Sequence, residues 1–353
     1  MSWFAICGSD ENWIAPEALE QAESLLTRGS ILVETRYPQS NNARPLVLFE
    51  SDDDWPFQLA IHALPGGAIS FSLDQGGEVL HKVFNCTETG RGDILRLTYT
   101  WDGPLRQGRL AFEKPDHGQT AVVSFDSPSP IPLWHMHRLM QGGEGRYLSP
   151  EVIFMAASSE IEPVGPLPTL MADTPVATPY GYRPVQDLKR GDLVISGSGD
   201  SVPVLHNVTR ILPARGSFAP IRLCAPYFGL GQDIDVSPMQ RLVLSGSEVE
   251  YLFGHESVLV QAGHLAGGPA VQRPALPRFV SYAQPILPQQ ETLNVAGTIA
   301  ESLYVGRLRR KPLNLAASAL ATLDRGTLPE HPPSARPVLK SLDAITLAAY
   351  RAA

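Results

Sequence analysis

Few residues in this chain of 353 combine a reactive type with a useful spacing. Asp52-Asp53-Asp54, followed by Trp55, puts carboxylates side by side, and a hard cation such as calcium needs several oxygen ligands. A solvated turn is the commoner meaning of such a run. Trp134-His135-Met136-His137 offers imidazoles at i and i+2. On a strand both would face one side and could share a metal. No third ligand is in sight, so a structural or surface role is expected, with no metal and no other cofactor. The cysteines, Cys7, Cys86 and Cys224, are odd in number and lack Cys-x-x-Cys spacing, which argues against a disulfide framework or a structural zinc. Cys224, in Ile221-Arg-Leu-Cys-Ala225, reads as a small buried hydrophobe rather than a nucleophile. His206, His255 and His264 have no neighbours that make a ligand set.

Length favours about two domains. Apolar residues make up 43% of the chain, sufficient for packed cores. The formal charge of −8 argues against a nucleic-acid surface, and the one basic run, Arg307-Leu-Arg-Arg-Lys311, reads as a solvated face. No apolar run approaches the roughly 20 residues of a membrane helix, so no membrane span is expected. The start, Met1-Ser-Trp-Phe-Ala-Ile-Cys-Gly8, lacks a basic segment and a long apolar one. No standard signal peptide is read, which leaves a cytoplasmic location or export by a signal-independent route.

The elements that would carry these residues are mostly strands. Pro16–Thr27 has early Pro and Glu with Leu at helical spacing, and predicts one short helix. After Arg28-Gly29 the pattern turns to period two. Strands are predicted at Ile31–Arg36, Pro45–Phe49, Phe57–His62, Ala68–Leu73, Ile94–Trp101, Arg109–Glu113 and Ala121–Phe125, with separators rich in Gly, Asp and Pro. Phe57, Leu59 and Ile61 should face a core, as should Leu95, Leu97, Tyr99 and Trp101. Residues 1–155 thus read as an antiparallel β-sandwich of jelly-roll type. Ile94-Leu-Arg-Leu-Thr-Tyr-Thr-Trp-Asp102 followed by Gly108-Arg-Leu-Ala-Phe112 resembles a laminin-G or concanavalin-like module. That resemblance implies a protein or glycan ligand; with Asp52–Asp54, glycan binding would depend on calcium. Residues 156–168, with Pro163, Pro166 and Pro168, read as an extended linker.

Pro168–Ser196 changes character again. Val176, Val185, Leu188 and Leu193-Val-Ile195 are apolar, and Pro179, Gly181 and Gly191 supply turns, so short strands are expected. Val176-Ala-Thr-Pro-x-Gly-x-Arg-Pro-Val-x-Asp-Leu-x-x-Gly-Asp-Leu-Val194 resembles the opening of a Hint domain, the fold shared by hedgehog autoprocessing domains and inteins. It is similar, more narrowly, to bacterial Hint proteins not embedded in a host enzyme. Asp235-Val-Ser-Pro-Met-Gln-Arg-Leu-Val-Leu244, Leu252-Phe-Gly254, Ala262-Gly-His-Leu265 and Glu301-Ser302 follow in the family's order. Residues 169–345 are therefore expected to form an all-β Hint domain. Asn314–Leu323 is helical in propensity, and Ser341–Tyr350 should be a terminal helix.

The resemblance implies a chemistry. A first-position cysteine or serine attacks the preceding carbonyl, and a histidine protonates the leaving nitrogen. Counting back from Val176 gives Thr169, beside Pro168. Val236-Ser-Pro-Met-Gln-Arg241 keeps Ser237, but the histidine position is Gln240. Two further family histidines correspond to Gln284 and Gln290 in Tyr282–Glu291. Glutamine donates a hydrogen bond but does not transfer a proton near neutral pH, and a threonine hydroxyl is a far weaker acid than a thiol of pKa about 8.5. The candidate site is Thr169, Ser237 and Gln240, on a scaffold whose proton-transfer groups have been replaced. The expected role is a binding or display module with an inefficient or inactive autoprocessing site. The competing expectation is hedgehog-like autoproteolysis at Pro168–Thr169 with Thr169 as nucleophile. Splicing is not expected, because the chain ends Ala-Ala-Tyr-Arg-Ala-Ala353 without the His-Asn pair that closes an intein.

Overall fold

The structure, a computed structural model, describes the chain except residues 1, 9–11, 21–22, 39–41, 54, 86–92, 267 and 353, and the side chain of residue 352. Asp54 and Cys86 therefore lie outside the described residues. The chain divides into two compact units, Met1–Gly165 and Pro166–Ala353.

The first unit is a β-sandwich of two antiparallel sheets. One has seven strands, in the spatial order Gln119–Asp126, Gln107–Lys114, Ile94–Asp102, Arg28–Arg36, Val152–Ser158, Trp3–Gly8, Asn12–Ile14. The other has five, Arg146–Leu148, Arg44–Ser51, Phe57–Leu64, Ala68–Gln75, Glu78–Phe84. Alternation sets the inner faces: Phe57, Leu59, Ile61 and Ala63 are buried while Gln58 points out. From the larger sheet Leu95, Leu97, Tyr99 and Trp101 enter the same core. The Tyr99 ring stacks on Phe71 at 5.3 Å and on Trp101 at 5.6 Å, and Trp101 Nε1 donates to Leu26 O at 2.8 Å.

Period two does not tell the whole story of Ile94–Asp102. Arg96, Thr98 and Thr100, on its other face, are buried too. Arg96 pairs with Glu34 at 3.2 Å and Glu113 at 3.5 Å on the flanking strands, as a buried charge must. The tail of this unit runs over that face: Ser30 Oγ donates to Glu160 O, and the Gly165 N–H donates to Glu113 Oε1. Ala156–Ser158 belong to the Val152–Ser158 strand, so the extended linker expected from residue 156 does not begin there. Hydrogen bonding along the sheet, which proline content does not reveal, holds this segment.

One local expectation is corrected, and the condition for a shared histidine metal site is not met. The helix predicted over 16–27 does not reach its expected end: Pro16–Glu20 is helical, but Leu25–Leu26 is a strand paired with Ile131–Pro132. Trp134–His137 lies on a helix, Leu133–Gln141, and not on a strand. At 3.6 residues per turn, positions two apart point about 200° apart, so His135 and His137 do not share a face.

The second unit holds two six-stranded antiparallel sheets. The first runs His206–Pro213, Phe279–Ile286, Leu170–Met171, Ile234–Val236, Ile221–Leu223, Val271–Gln272. The second runs Gly181–Pro184, Pro175–Thr178, Thr292–Val295, Thr298–Glu301, Arg241–Ser245, Ser257–Gln261. Leu170, Val176, Val236, Leu242, Ala283 and Leu293 share one core. Over Asn314–Leu323 the helix stops at Ala316: Ser318 Oγ bonds Leu315 O and accepts the Leu320 N–H, competing with the helical ladder. The terminal helix spans Ser341–Ala352. Among the described residues no helix is long and apolar enough to cross a membrane.

Candidate functional site

Strand register brings the site together. In the first sheet of the second unit, the two-residue strand Leu170–Met171 lies between Ile234–Val236 and Phe279–Ile286. Leu170 stands opposite both Val236 and Ala283. Antiparallel pairing then places the residue before Leu170, Thr169, beside the residues after the other two, Ser237 and Gln284. The Ser237 N–H donates to Thr169 O at 2.8 Å, and the Thr169 N–H donates to Gln284 Oε1 at 2.9 Å.

Gln240 arrives by a turn. Its N–H donates to Ser237 O at 2.9 Å, closing Ser237-Pro-Met-Gln240 and passing the chain into Arg241–Ser245 of the second sheet. Thr169 Oγ1 lies 2.6 Å from Gln240 Oε1 and 2.9 Å from Gln284 Oε1. It carries one proton and serves one of them at a time. Gln240 and Gln284 are 1% and 3% exposed, which makes satisfaction of their amides obligatory.

Main-chain groups fix which way each amide faces. Gln284 Nε2 donates to Glu301 O at 2.7 Å and to Gln240 Oε1 at 3.2 Å. Gln240 Nε2 donates to Arg241 O at 2.8 Å and Glu301 O at 3.2 Å. Both amide oxygens are thereby turned toward Thr169. Every side-chain atom bonded to Thr169 is an acceptor, and the nitrogen of the Pro168–Thr169 bond spends its hydrogen on one of them. Pro168 is buried, and among the described residues no donor is hydrogen-bonded to its carbonyl.

Ser237 belongs to the site through its backbone. Its hydroxyl accepts the Met239 N–H at 3.2 Å and reaches Ser217 O at 3.4 Å, and so holds the turn rather than the threonine hydroxyl. Gln290 Nε2 donates to Glu301 Oε1 at 2.8 Å, while Arg241 Nη1 lies 3.4 Å from Glu301 Oε2. Glu301 is the member to which motif order gave no role. Its carbonyl anchors two glutamines and its carboxylate a third. Burial pushes that carboxyl up, and Arg241 and Gln290 partly offset the shift.

Residues 168–307 match the family model of the Hint domain. The C-terminal unit carries a Hint domain. The match begins at the residue before Thr169 and takes in Ser237, Gln240, Gln284, Gln290 and Glu301. No curated protein matches the chain. Among solved structures, the bacterial intein-like domain from Clostridium thermocellum is 15% identical, with 38% of this chain and 99% of that one covered at a TM-score of 0.28. The N145AA form of the MchDnaB-1 intein is 16% identical over 38% of this chain and 98% of its own, at 0.23. The CBM40 of the Ruminococcus gnavus IT-sialidase, bound to α2,3-sialyllactose, is 12% identical over 45% of this chain and 88% of its own, at 0.27.

The other sequence candidates sit elsewhere. Cys224 is a buried free thiol whose pKa is pushed up by desolvation and by Asp233, so it rests protonated. His264 lies in the turn Ala262–Leu265. Asp53 is held by Ser51 Oγ at 2.7 Å and by Arg138 Nη1 at 2.8 Å, so an arginine already neutralises the carboxylate offered for calcium. Among the described residues no three His, Cys, Asp or Glu side chains form a metal-binding group.

Proposed function

We propose that the Hint domain of this chain is a retained scaffold whose autoprocessing site is inactive, and that it carries an N-terminal sandwich serving as a binding or display module. The observation behind this reading is the hydrogen-bond set of Thr169. Acyl transfer from nitrogen to Oγ would need a base for the hydroxyl proton and an acid for the departing nitrogen. The hydroxyl meets two amide oxygens, and the peptide N–H is tied to one of the same oxygens. An amide oxygen takes no proton near neutral pH, so both transfers lack a carrier. Among the described residues nothing donates to the Pro168 carbonyl, so the stabilisation of developing charge that such reactions draw on has no source there.

The competing reading is hedgehog-like cleavage at Pro168–Thr169. What favours it is that Thr169 keeps the nucleophile's place and a hydroxyl at the centre of the network. The two readings part in one experiment. The intact mass of freshly purified protein is followed for a day with and without hydroxylamine or thiol, beside Thr169→Ala. A single full-length mass throughout supports the scaffold. Two fragments meeting at Pro168–Thr169, abolished by Thr169→Ala, sink it.

For the sandwich of residues 1–155, resemblance to laminin-G and concanavalin-like modules suggests a protein or glycan ligand, though a fold does not fix function. Calcium dependence is the weaker branch, since Asp53 is engaged by Arg138. A melting temperature unmoved by millimolar calcium would remove that branch.

A further inference from the structure

The helix Leu133–Gln141 carries a histidine that Hint chemistry does not use. His135 is 0% exposed, and among the described residues neither ring nitrogen has a hydrogen-bond partner. Aromatic rings surround it: Phe57 at 5.0 Å, Trp134 at 5.3 Å and Phe49 at 6.3 Å. A carboxylate faces it across a gap. Asp53 Oδ2 lies 3.8 Å from His135 Nε2, beyond hydrogen-bond length.

That oxygen is already shared. It accepts from Ser51 Oγ at 2.7 Å and from Arg138 Nη1 at 2.8 Å, while Arg138 Nη1 also reaches Ser51 Oγ at 3.1 Å. Residues 135 and 138 are three apart on one helix and project from the same side. Both therefore address one carboxylate, just past the end of the Arg44–Ser51 strand. Arg138 holds it, and His135 stands behind without a partner.

We propose that His135, Asp53 and Arg138 form a proton-operated latch, in which protonation of His135 draws the Asp53 carboxylate into an ion pair with the imidazolium and weakens its bond to Arg138. The step takes one proton from solvent onto a ring nitrogen and breaks no covalent bond. Among the described residues, the charged groups facing His135 are Asp53, which favours the cation, and Arg138 of its own helix, which opposes it. Phe49 and Phe57, from the two adjoining strands, contribute apolar walls. Burial and Arg138 outweigh Asp53 and keep the ring below its ordinary pKa, so the latch is closed through Arg138 at neutral pH and switches in acid.

The same helix supplies a control. His137 is 7% exposed with Nε2 unpartnered among the described residues, and burial alone depresses its pKa. Among the described residues no carboxylate faces it to receive its charge.

The test is an NMR titration of the imidazole resonances in the full-length protein, with circular dichroism followed in parallel. His135 should titrate reversibly below pH ~6.5 in the folded protein. Asp53→Asn should lower its proton affinity by about tenfold, leaving His137 unmoved. Arg138→Met should raise the affinity, which gives an independent reading should Asp53→Asn fold poorly. The latch is overturned by a His135 midpoint that neither variant moves, or by a ring that gains its proton only as the protein unfolds.

Discussion

Thr169 Oγ1 and Gln240 Oε1, 71 residues apart in sequence, lie 2.6 Å apart. The threonine hydroxyl donates to a neighbour that accepts a hydrogen bond without being able to carry a proton away. Gln284 repeats the arrangement at the peptide nitrogen. Two glutamines thus satisfy the polar groups of Thr169 through amide oxygens that take up no proton near neutral pH.

On the proposed reading, supplying proton-transfer groups at these positions should permit cleavage. Thr169→Cys combined with Gln240→His and Gln284→His supplies a thiol, a proton donor for the nitrogen and a second titratable group. Positioned acid–base groups contribute about 10²–10⁴-fold in rate. Wild type is expected to keep one mass over a day in hydroxylamine, and the triple variant to give two fragments at the 168–169 junction. Thr169→Cys alone should stay far slower than the triple variant. An equally fast single variant would mean that proton transfer is not what the glutamines withhold.

The network should also matter for stability, and unequally. Gln284→Ala leaves the Thr169 N–H and a bond to Glu301 O unmet in a buried setting, which should cost about 2–3 kcal/mol. Thr169→Ala removes a hydroxyl whose acceptors keep other donors, and should cost about 1 kcal/mol or less. All the tryptophans lie within residues 1–165, so calorimetry or far-ultraviolet circular dichroism is the appropriate probe. Equal losses would show that Gln284 merely fills space.

Thr169, Gln240, Gln284 and Gln290 are marked in the chain by the Hint-family motifs they stand in, not by local pattern. That Thr169, Gln240 and Gln284 meet is set by strand register, which the sequence does not spell out. Glu301 O left no such mark, because a main-chain carbonyl has no side-chain signature. Nor did the strands Trp3–Gly8 and Val152–Ser158: they are nearly continuously buried and show no alternation to find. The helix bearing His135 was hidden because nine residues with two histidines, a tryptophan and an arginine fit several local structures, and the packing of Leu139 and Met140 decides among them.

Acid should weaken the C-terminal unit through His331. Its Nε2 donates to Leu287 O at 3.0 Å, so Nδ1 accepts the Val305 N–H at 3.3 Å, and the ring is neutral. Burial holds its pKa below the ordinary value, with the Leu287 bond a partial offset. The unfolded chain therefore binds more protons than the folded one below about pH 6.5, and stability is lost as pH falls through that range. His331→Gln should be less stable at pH 7.5 and show a shallower decline in melting temperature between pH 7 and pH 5. A decline as steep as wild type would assign the acid sensitivity elsewhere.

Glu301 should act with the opposite sign. Its folded pKa is raised, chiefly by burial, despite Arg241 and Gln290. A carboxyl raised on folding contributes stability that is fully present below its unfolded pKa of about 4.3 and is lost as pH rises through the folded value. Ionisation therefore works against the fold at neutral pH, just where the Glu301 backbone anchors Gln240 and Gln284. Glu301→Gln keeps the shape and an acceptor for Gln290 but never ionises. Its melting temperature relative to wild type should be more favourable at pH 8 than at pH 4, measured in the same buffer series. A difference that is flat with pH would mean the carboxyl titrates normally. One that reverses sign would mean that Arg241, at 3.4 Å, outweighs burial and that the ion pair stabilises the site.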